Sequence, residues 1–85
     1  MKVVFTPAFV RQLKKLPADL QEEALESVND FRIPKNHKRL KVHKLHGQFK
    51  KHYSFSVNYK VRIVFDYLSR SEAILMAIGD HDMYK

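Results

Sequence analysis

The spacing of apolar residues changes once in this chain, after Ile33-Pro34, and that change restricts the folds open to it. Before this point apolar residues recur about every 3.6 positions, in one run of Phe9, Leu13 and Leu16 and a second of Leu20, Ala24, Val28 and Phe31. The spacing predicts two helices interrupted at Pro17. After it the period is two, which predicts strands at 40–46, 53–58, 60–68 and 72–79. Turns are expected at His46-Gly47 and 69–71.

The N-terminal residues add one more strand, at 2–5, and a start signal for the first helix. Thr6-Pro7 combines a preferred N-cap residue with a residue favoured at the first helical position. The predicted order is therefore βααβββ followed by a final strand. With 85 residues the chain is expected to be a single domain, 1–85, because a chain of this length has room for one core. We expect an α+β fold in which the helices form a hairpin against the sheet.

Alternation along the predicted strands separates an apolar face from a polar one. The residues expected to pack on the helices are Tyr53, Phe55, Val57, Val61, Ile63, Phe65, Ile74, Met76 and Ile78. The opposite face would carry His52, Ser54, Ser56, Lys60, Arg62 and Asp66. That face is a candidate ligand surface, although antiparallel sheets commonly leave one polar face to water.

Charge is distributed unevenly along the chain, whose formal net charge is +7. Between Asp30 and Asp66 there is no acidic residue, whereas ten cations occur: Arg32, Lys35, Lys38, Arg39, Lys41, Lys44, Lys50, Lys51, Lys60 and Arg62. A polarised positive surface attracts phosphate groups over a long range. The alternative is a solvated face that confers solubility, but solubility normally comes from mixed signs.

Several functional classes are disfavoured by composition. The chain has no Cys, so it has neither disulfides nor a thiolate metal site, which fits a reducing compartment. No signal peptide and no apolar run of membrane-spanning length are evident, so we expect a cytoplasmic protein without membrane contact. Metal binding by His43 and His46 is disfavoured because a three-residue spacing on a strand sends them to opposite faces. No cofactor is indicated.

Five segments of the sequence, in this order, resemble the RelE/ParE toxin superfamily: FTPAF (5–9), LKKLP (13–17), KLHG (44–47), VRIVF (61–65) and IGDHDMY (78–84). The pattern is most similar to YafQ-like and RelE-like mRNA interferases. The resemblance implies a small antiparallel sheet with an N-terminal helical hairpin on one face. It also implies a toxin of a type II toxin–antitoxin pair, acting as a ribosome-dependent endoribonuclease that cleaves mRNA in the A site and inhibits translation. A non-catalytic, ParE-like inhibitor of DNA gyrase is the alternative.

The resemblance also implies partners. A cognate antitoxin would bind the toxin in a hetero-oligomer, and an acidic, partly disordered antitoxin segment would complement this basic surface. The ribosome and mRNA would be the other partners. The RNA-binding residues would be Lys38, Arg39, Lys41, Lys44, Lys50, Lys51, Ser54, Ser56 and Lys60.

Cleavage of RNA without a metal uses the neighbouring 2′-hydroxyl, so the protein must remove a proton, stabilise charge on phosphorus and protonate the departing 5′-oxygen. Arg62, which matches the family's strand arginine, is the candidate charge stabiliser; otherwise it is solvated or paired with Asp66. His81 matches the catalytic histidine of YafQ-like tails and would act as general acid or base, paired with His43. Tyr84 would stack on a base or donate to phosphate.

Each of these roles has a structural alternative. A frayed tail would leave His81 and Tyr84 without a role, and His43 is one of five His in a basic chain. His37, His46 and His52 are expected to be bystanders. The acid-free middle of the chain indicates that no carboxylate base lies on the central strands.

Overall fold

The order of elements follows the order predicted from the sequence. The computed structural model describes residues 1–46 and 52–80. Its elements are β1 (Lys2–Phe5), α1 (Pro7–Lys14), α2 (Ala18–Phe31), a 3₁₀ turn (Pro34–Asn36), β2 (His43–Lys44), β3 (Tyr53–Ser56), β4 (Val61–Ser69) and β5 (Glu72–Asp80). The predicted α+β class, with two helices on one face of the sheet, is confirmed. Gly47, in the first predicted turn, lies outside the described residues, whereas the predicted turn at 69–71 links β4 to β5.

The sheet has the strand order β1-β5-β4-β3-β2 over the described residues. The pairs β2–β3, β3–β4 and β4–β5 are antiparallel. Strand β1 pairs parallel with β5, so the sheet is mixed. The predicted helix start at Thr6 is confirmed, because its Oγ1 accepts a hydrogen bond from the Phe9 backbone N–H at 3.1 Å. The same hydroxyl donates to the Leu75 carbonyl at 2.8 Å, which joins the start of α1 to β5.

The core lies between the helices and one face of the sheet. The ring of Phe31, from α2, stacks on Phe55 at 4.4 Å and meets Phe65 edge-on at 4.7 Å. All three side chains are fully buried. Burial of each contributes about 1.5–3 kcal/mol relative to exposure, with a further 0.5–1.5 kcal/mol for an aromatic pair. These rings fix α2 on β3 and β4.

The face prediction was wrong for Ile74 and Met76 on β5. The buried residues there are Ala73, Leu75 and Ile78, because a bulge interrupts the alternation. Val64 pairs with Ala77 and Phe65 with Leu75, which leaves Met76 as an extra residue opposite β4. Because of this extra residue, the inward-facing positions before and after Met76 are out of phase by one residue.

The predicted strand at 40–46 was largely wrong, since pairing is confined to His43–Lys44. The chain turns through residues 36–41 and places Leu40 in the core. Lys41 has φ of 58°, a left-handed conformation that is costly for a residue with a side chain. The Leu40 carbonyl accepts a hydrogen bond from the Ser56 backbone N–H at 2.8 Å, so this turn stays attached to the end of β3.

Candidate functional site

Arg62 lies on the face of the sheet away from the helices. That face, called the outer face below, carries Ser54, Ser56, Arg62, Val64 and Asp66 on β3 and β4, with His43 and His52 beside them. Ser56 pairs with Arg62, and Arg62 pairs on its other side with Gly79. Because Gly79 has no side chain, nothing on that neighbouring position of β5 covers the stem of Arg62.

The guanidinium of Arg62 is held at the turn between β3 and β4. Its Nη1 donates to the Asn58 carbonyl, with a second, longer contact of 3.5 Å to the Val61 carbonyl. The predicted alternative, a pair with Asp66, does not occur among the described residues, where Asp66 bonds to His52. An arginine has five N–H donors, and the hydrogen bonds of Arg62 to the described residues use Nη1 alone, which leaves donors to meet a phosphate. Backbone oxygens thus hold the half-buried Arg62 in place, and no carboxylate among the described residues neutralises its charge.

Asn58 makes the turn that holds Arg62. Its Oδ1 accepts from the backbone N–H groups of Lys60 and Val61, each at 2.8 Å. Its Nδ2 donates to Glu23 Oε1 of α2 at 3.2 Å. Asparagine stabilises turns by such bonds to the backbone that follows it. These bonds, to the following backbone and to α2, fix Asn58 and therefore the carbonyl that accepts the hydrogen bond from Arg62.

His43 uses one ring nitrogen in hydrogen bonds to the described residues. Its Nδ1 donates to the Lys41 carbonyl at 2.7 Å, so in the neutral ring Nε2 carries the lone pair. His43 on β2 pairs with Ser54 on β3, and Ser56 pairs with Arg62 on β4, so His43 and Arg62 are two strands apart and offset by two residues. Strand spacings place the two Cα atoms about 12 Å apart. Two long side chains at this separation can reach opposite sides of one ribose–phosphate unit.

A pocket of about 250 Å³ lies at the same end of the sheet, lined by two neighbours of Arg62: its strand partner Ser56 and Asn58, whose carbonyl it bonds. It is lined by Arg39, Leu40, Lys41, Ser56, Val57, Asn58 and Tyr59. The Arg39 Nη2 lies 3.2 Å from Asp30 Oδ2, in an ion pair whose side chains are about half exposed. The pocket therefore joins two cations from the turn before β2 to the turn that holds Arg62.

The predicted RNA-binding residues differ in accessibility. Five of the cations are exposed, namely Lys38, Arg39, Lys41, Lys44 and Lys60. Lys60 lies in the bend before β4 and not on the strand itself. Ser56 is half-buried at the pocket, whereas Ser54 is only 1 % exposed, and their contacts with RNA stay predictions. The small side chain of Ser54 lies between the strand partners His43 and Val64.

The remaining predicted residues lie outside the described residues: Lys50, Lys51, His81 and Tyr84. Asp80, which precedes His81 in the sequence, is paired with Val61. Strand β5 therefore ends beside the strand position that carries Arg62. The roles of His81 and Tyr84 stay predictions.

The sequence reasoning missed a contact between His52 and Asp66. His52 Nδ1 lies 2.7 Å from Asp66 Oδ1, and each side chain is about 30 % exposed. Asp66 lies on β4 and its carboxylate is paired with His52; that no carboxylate base lies on the central strands stays a prediction. Both residues belonged to the predicted polar face, which was the signal available. Asp66 lies four residues along β4 from Arg62, a Cα separation of about 13 Å.

A second and larger pocket lies at the other end of β4. Its volume is about 440 Å³, and its lining comprises Met1, Pro34, His37, Tyr67, Ser69 and Arg70. His37 has a structural role, because its ring stacks on Phe31 at 4.8 Å and its Nε2 donates to the Phe31 carbonyl at 2.7 Å. Burial, with a smaller effect of Tyr53, raises the pKa of the Tyr67 hydroxyl. Although this pocket is the larger of the two, none of its lining residues is a predicted catalytic residue.

Two further properties concern the described residues alone. None of the helices there is long and apolar enough to cross a membrane. No group of three or more His, Cys, Asp or Glu within 1–46 and 52–80 is arranged to hold a metal ion.

Solved structures share this fold at low sequence identity. A chain of the RelBE2 toxin–antitoxin complex from Mycobacterium tuberculosis has a TM-score of 0.68 and 17 % identity, over 94 % of this chain and 96 % of that one. A chain of the YoeB–YefM complex from Staphylococcus aureus has a TM-score of 0.71 and 15 % identity, over 95 % and 97 %. A variant of YafQ from Escherichia coli has 0.66 and 11 %, over 96 % and 94 %. At these identities the likeness shows the fold alone.

The family is shown by sequence. No curated protein matches the chain. The model of the HigB-like toxin family, described as the RelE-like toxin of the type II toxin–antitoxin system HigB, matches residues 7–81. That match includes the helical hairpin, the whole of β2 to β5 and Arg62, and it confirms the predicted membership of the RelE superfamily. The chain therefore belongs to the HigB-like family of RelE-like toxins of type II toxin–antitoxin systems.

Proposed function

We propose that this toxin is a ribosome-dependent endoribonuclease that cleaves mRNA in the A site and thereby inhibits translation. The observation that carries the proposal is Arg62 on the outer face, held by the carbonyl of Asn58, a residue that lines a pocket together with Arg39 and Lys41. A planar guanidinium with free donors is suited to a phosphodiester whose charge increases during reaction. His43 lies on β2, two strands from Arg62, and its Nε2 makes no hydrogen bond within the described residues.

The reaction assigned to these residues is attack of the 2′-hydroxyl on the adjacent phosphorus. His43 Nε2 takes the hydroxyl proton as the new O–P bond forms, and Arg62 stabilises the charge on the non-bridging oxygens. The bond to the 5′-oxygen then breaks, and His81 gives that oxygen a proton. Tyr84 stacks on a base or donates to the phosphate. The products are a 2′,3′-cyclic phosphate and a 5′-hydroxyl, and no step requires a metal ion.

Exposed cations support the proposed binding to the ribosome. Lys38, Lys44 and Lys60 are exposed and would contact phosphates of ribosomal RNA, which supply affinity without sequence information. Action on ribosomes would place the toxin in the cytoplasm. We also propose that a cognate antitoxin with an acidic segment covers this surface in a hetero-oligomer, as charge complementarity favours.

The test is to incubate the purified protein with ribosomes paused on a defined mRNA and to map cut positions by primer extension. We expect cuts inside the A-site codon that are lost in Arg62→Ala and His81→Ala and retained in His46→Ala, a matched exposed histidine. If cleavage is lost in Arg62→Ala but retained in His81→Ala, a residue other than His81 must act as the general acid. Absence of cleavage by the folded protein, together with inhibition of gyrase supercoiling, would overturn the proposal in favour of a ParE-like toxin.

A further inference from the structure

Tyr59 is the most exposed of the large hydrophobic side chains among the described residues. Its exposed fraction is 89 %, whereas the next value is 55 %, at Leu68. An aromatic ring in water forgoes the free energy that burial of its apolar surface would give. Tyr59 lies at the tip of the turn between β3 and β4 and lines the pocket beside Arg62. The position suggests a ring that is covered when a ligand binds.

The backbone that presents Tyr59 is held on both sides. Asn58, the preceding residue, is bonded to the backbone of Lys60 and Val61 and to Glu23. The Val57 N–H donates to the Val61 carbonyl at 2.9 Å, which closes the turn. A ligand that stacks on Tyr59 therefore orders one side chain and not a loop, which limits the entropic cost of binding.

The opposite wall of the pocket is also held, although its backbone is strained. Lys41 has φ of 58°, and its N–H donates to the Lys38 carbonyl at 3.1 Å while its own carbonyl accepts from His43 Nδ1 at 2.7 Å. Strained backbone of this kind persists when surrounding bonds fix it, and it is frequent at ligand sites. The conformation directs the chain so that Arg39 and Lys41 line one pocket with Tyr59.

The charges around Tyr59 select the ligand. Arg39, Lys41, Lys60 and Arg62 are close to the turn in sequence or line its pocket, and the ion pair of Arg39 with Asp30 is exposed. Exposed ion pairs contribute little, so a phosphate can replace Asp30 as the partner of Arg39. An aromatic ring among cations binds single-stranded nucleic acid by stacking on a base while the cations contact its phosphates.

We propose that Tyr59, Arg39 and Lys41 form a nucleotide subsite for single-stranded RNA, next to the phosphate that Arg62 contacts. Tyr59 stacks on the base of a nucleotide flanking the scissile bond, and Arg39 and Lys41 bind its phosphate. The assignment rests on the proposed function, since it places this nucleotide in the same RNA strand. Stacking is tolerant of sequence, so the subsite positions the strand and selects no particular codon.

The absence of Trp from the chain allows a direct test. Tyr59→Trp introduces a single indole at the proposed subsite, and Tyr67→Trp introduces one at the pocket on the other end of β4. Both folded variants are titrated with a single-stranded RNA hexamer while indole fluorescence is followed. We expect quenching in Tyr59→Trp and none in Tyr67→Trp, with affinity falling as salt rises with a slope of about −2 for two to three phosphate contacts.

Affinity is then compared by anisotropy of a labelled hexamer with Tyr59→Phe and Tyr59→Ala. We expect the first to retain affinity and the second to lose about tenfold, because stacking needs the ring and not its hydroxyl. Equal quenching of both indoles, or unchanged affinity in Tyr59→Ala, would overturn the subsite. Neither readout involves cleavage, so RNA binding at Tyr59 without cleavage on ribosomes would refute the proposed function alone, and cleavage without quenching would refute the subsite alone.

Discussion

The two faces of β4 are made by alternate residues of one strand but are held by different forces. Ile63 and Phe65 point to the helices and are fully buried. Arg62 and Asp66 point the other way; within the described residues Arg62 is held by the Asn58 and Val61 carbonyls and Asp66 by His52. Packing is shared among many contacts, whereas each polar group depends on one or two partners. Substitutions on the two faces should therefore separate stability from activity.

The largest effect is expected from Phe31→Ala, on α2, which packs on the inner face, the side of the sheet that faces the helices. Phe31 contacts both Phe55 and Phe65, so its removal opens a cavity in the centre of the core. The free energy of unfolding, measured with urea, should fall by about 3–5 kcal/mol. This is a large part of the stability of a small domain. A decrease below about 1 kcal/mol would show that the core repacks and that the contrast between the faces is weaker than described.

On the outer face, His43→Gln should reduce ribosome-dependent cleavage roughly 100-fold, the low end of the range for loss of a general base. Its stability in urea should be unchanged within about 0.5 kcal/mol, since His43 is exposed. His46→Gln is the matched control, because His46 is also exposed and three residues away. Equal cleavage by both variants would remove His43 from the reaction.

Asp66→Asn should have a smaller effect on the same face. The pair with His52 is partly exposed, so its loss should change the free energy of unfolding by about 0–1 kcal/mol. Cleavage should stay within about twofold of the unmodified protein, because Asp66 is far from Arg62 along β4. A tenfold loss of cleavage with unchanged stability would instead bring the His52–Asp66 pair into the reaction.

The smallest effect is expected at Tyr67, where the inner face meets water. Burial and Tyr53 raise the pKa of Tyr67 above its ordinary value of 10.0, so the folded protein holds this proton more tightly than the unfolded chain. The resulting stability is present below pH 10 and is lost as the pH rises through the higher folded value. Titration of tyrosinate absorbance should show a late step that disappears in Tyr67→Phe and persists in Tyr59→Phe. A late step retained in Tyr67→Phe would contradict the assignment.

Local signals predicted much of the fold, and pairing between distant segments explains the errors. Thr6-Pro7 specifies its helix start through a bond to Phe9, three residues away, and was predicted correctly. The displacement of Met76 arises from the register of β4 against β5, which no pattern within β5 contains. The left-handed Lys41 similarly depends on bonds to the surrounding turn.

The candidate site was predicted in part for the same reason. Alternation placed Arg62 on the polar face correctly, because that inference needs only the order of apolar and polar residues within its own strand. The burial of Ser54 depends on its neighbours across the sheet, and the contact of His52 with Asp66 joins residues 14 apart. Tyr59 was missed because a turn residue has no periodic pattern, and its exposure is evident only from the structure.

The parallel pairing of β1 with β5 has a consequence for how this toxin is made. Thr6, directly after β1, bonds to Leu75, 69 residues later, so β1 has no partner in this sheet until β5 has been translated. Contacts this distant in sequence form late, because the chain entropy lost in closing the loop must be overcome. The chain can complete its sheet only after β5 has left the ribosome exit tunnel. A ribosome making this toxin is therefore not exposed to the folded product of that same chain until synthesis has passed Leu75.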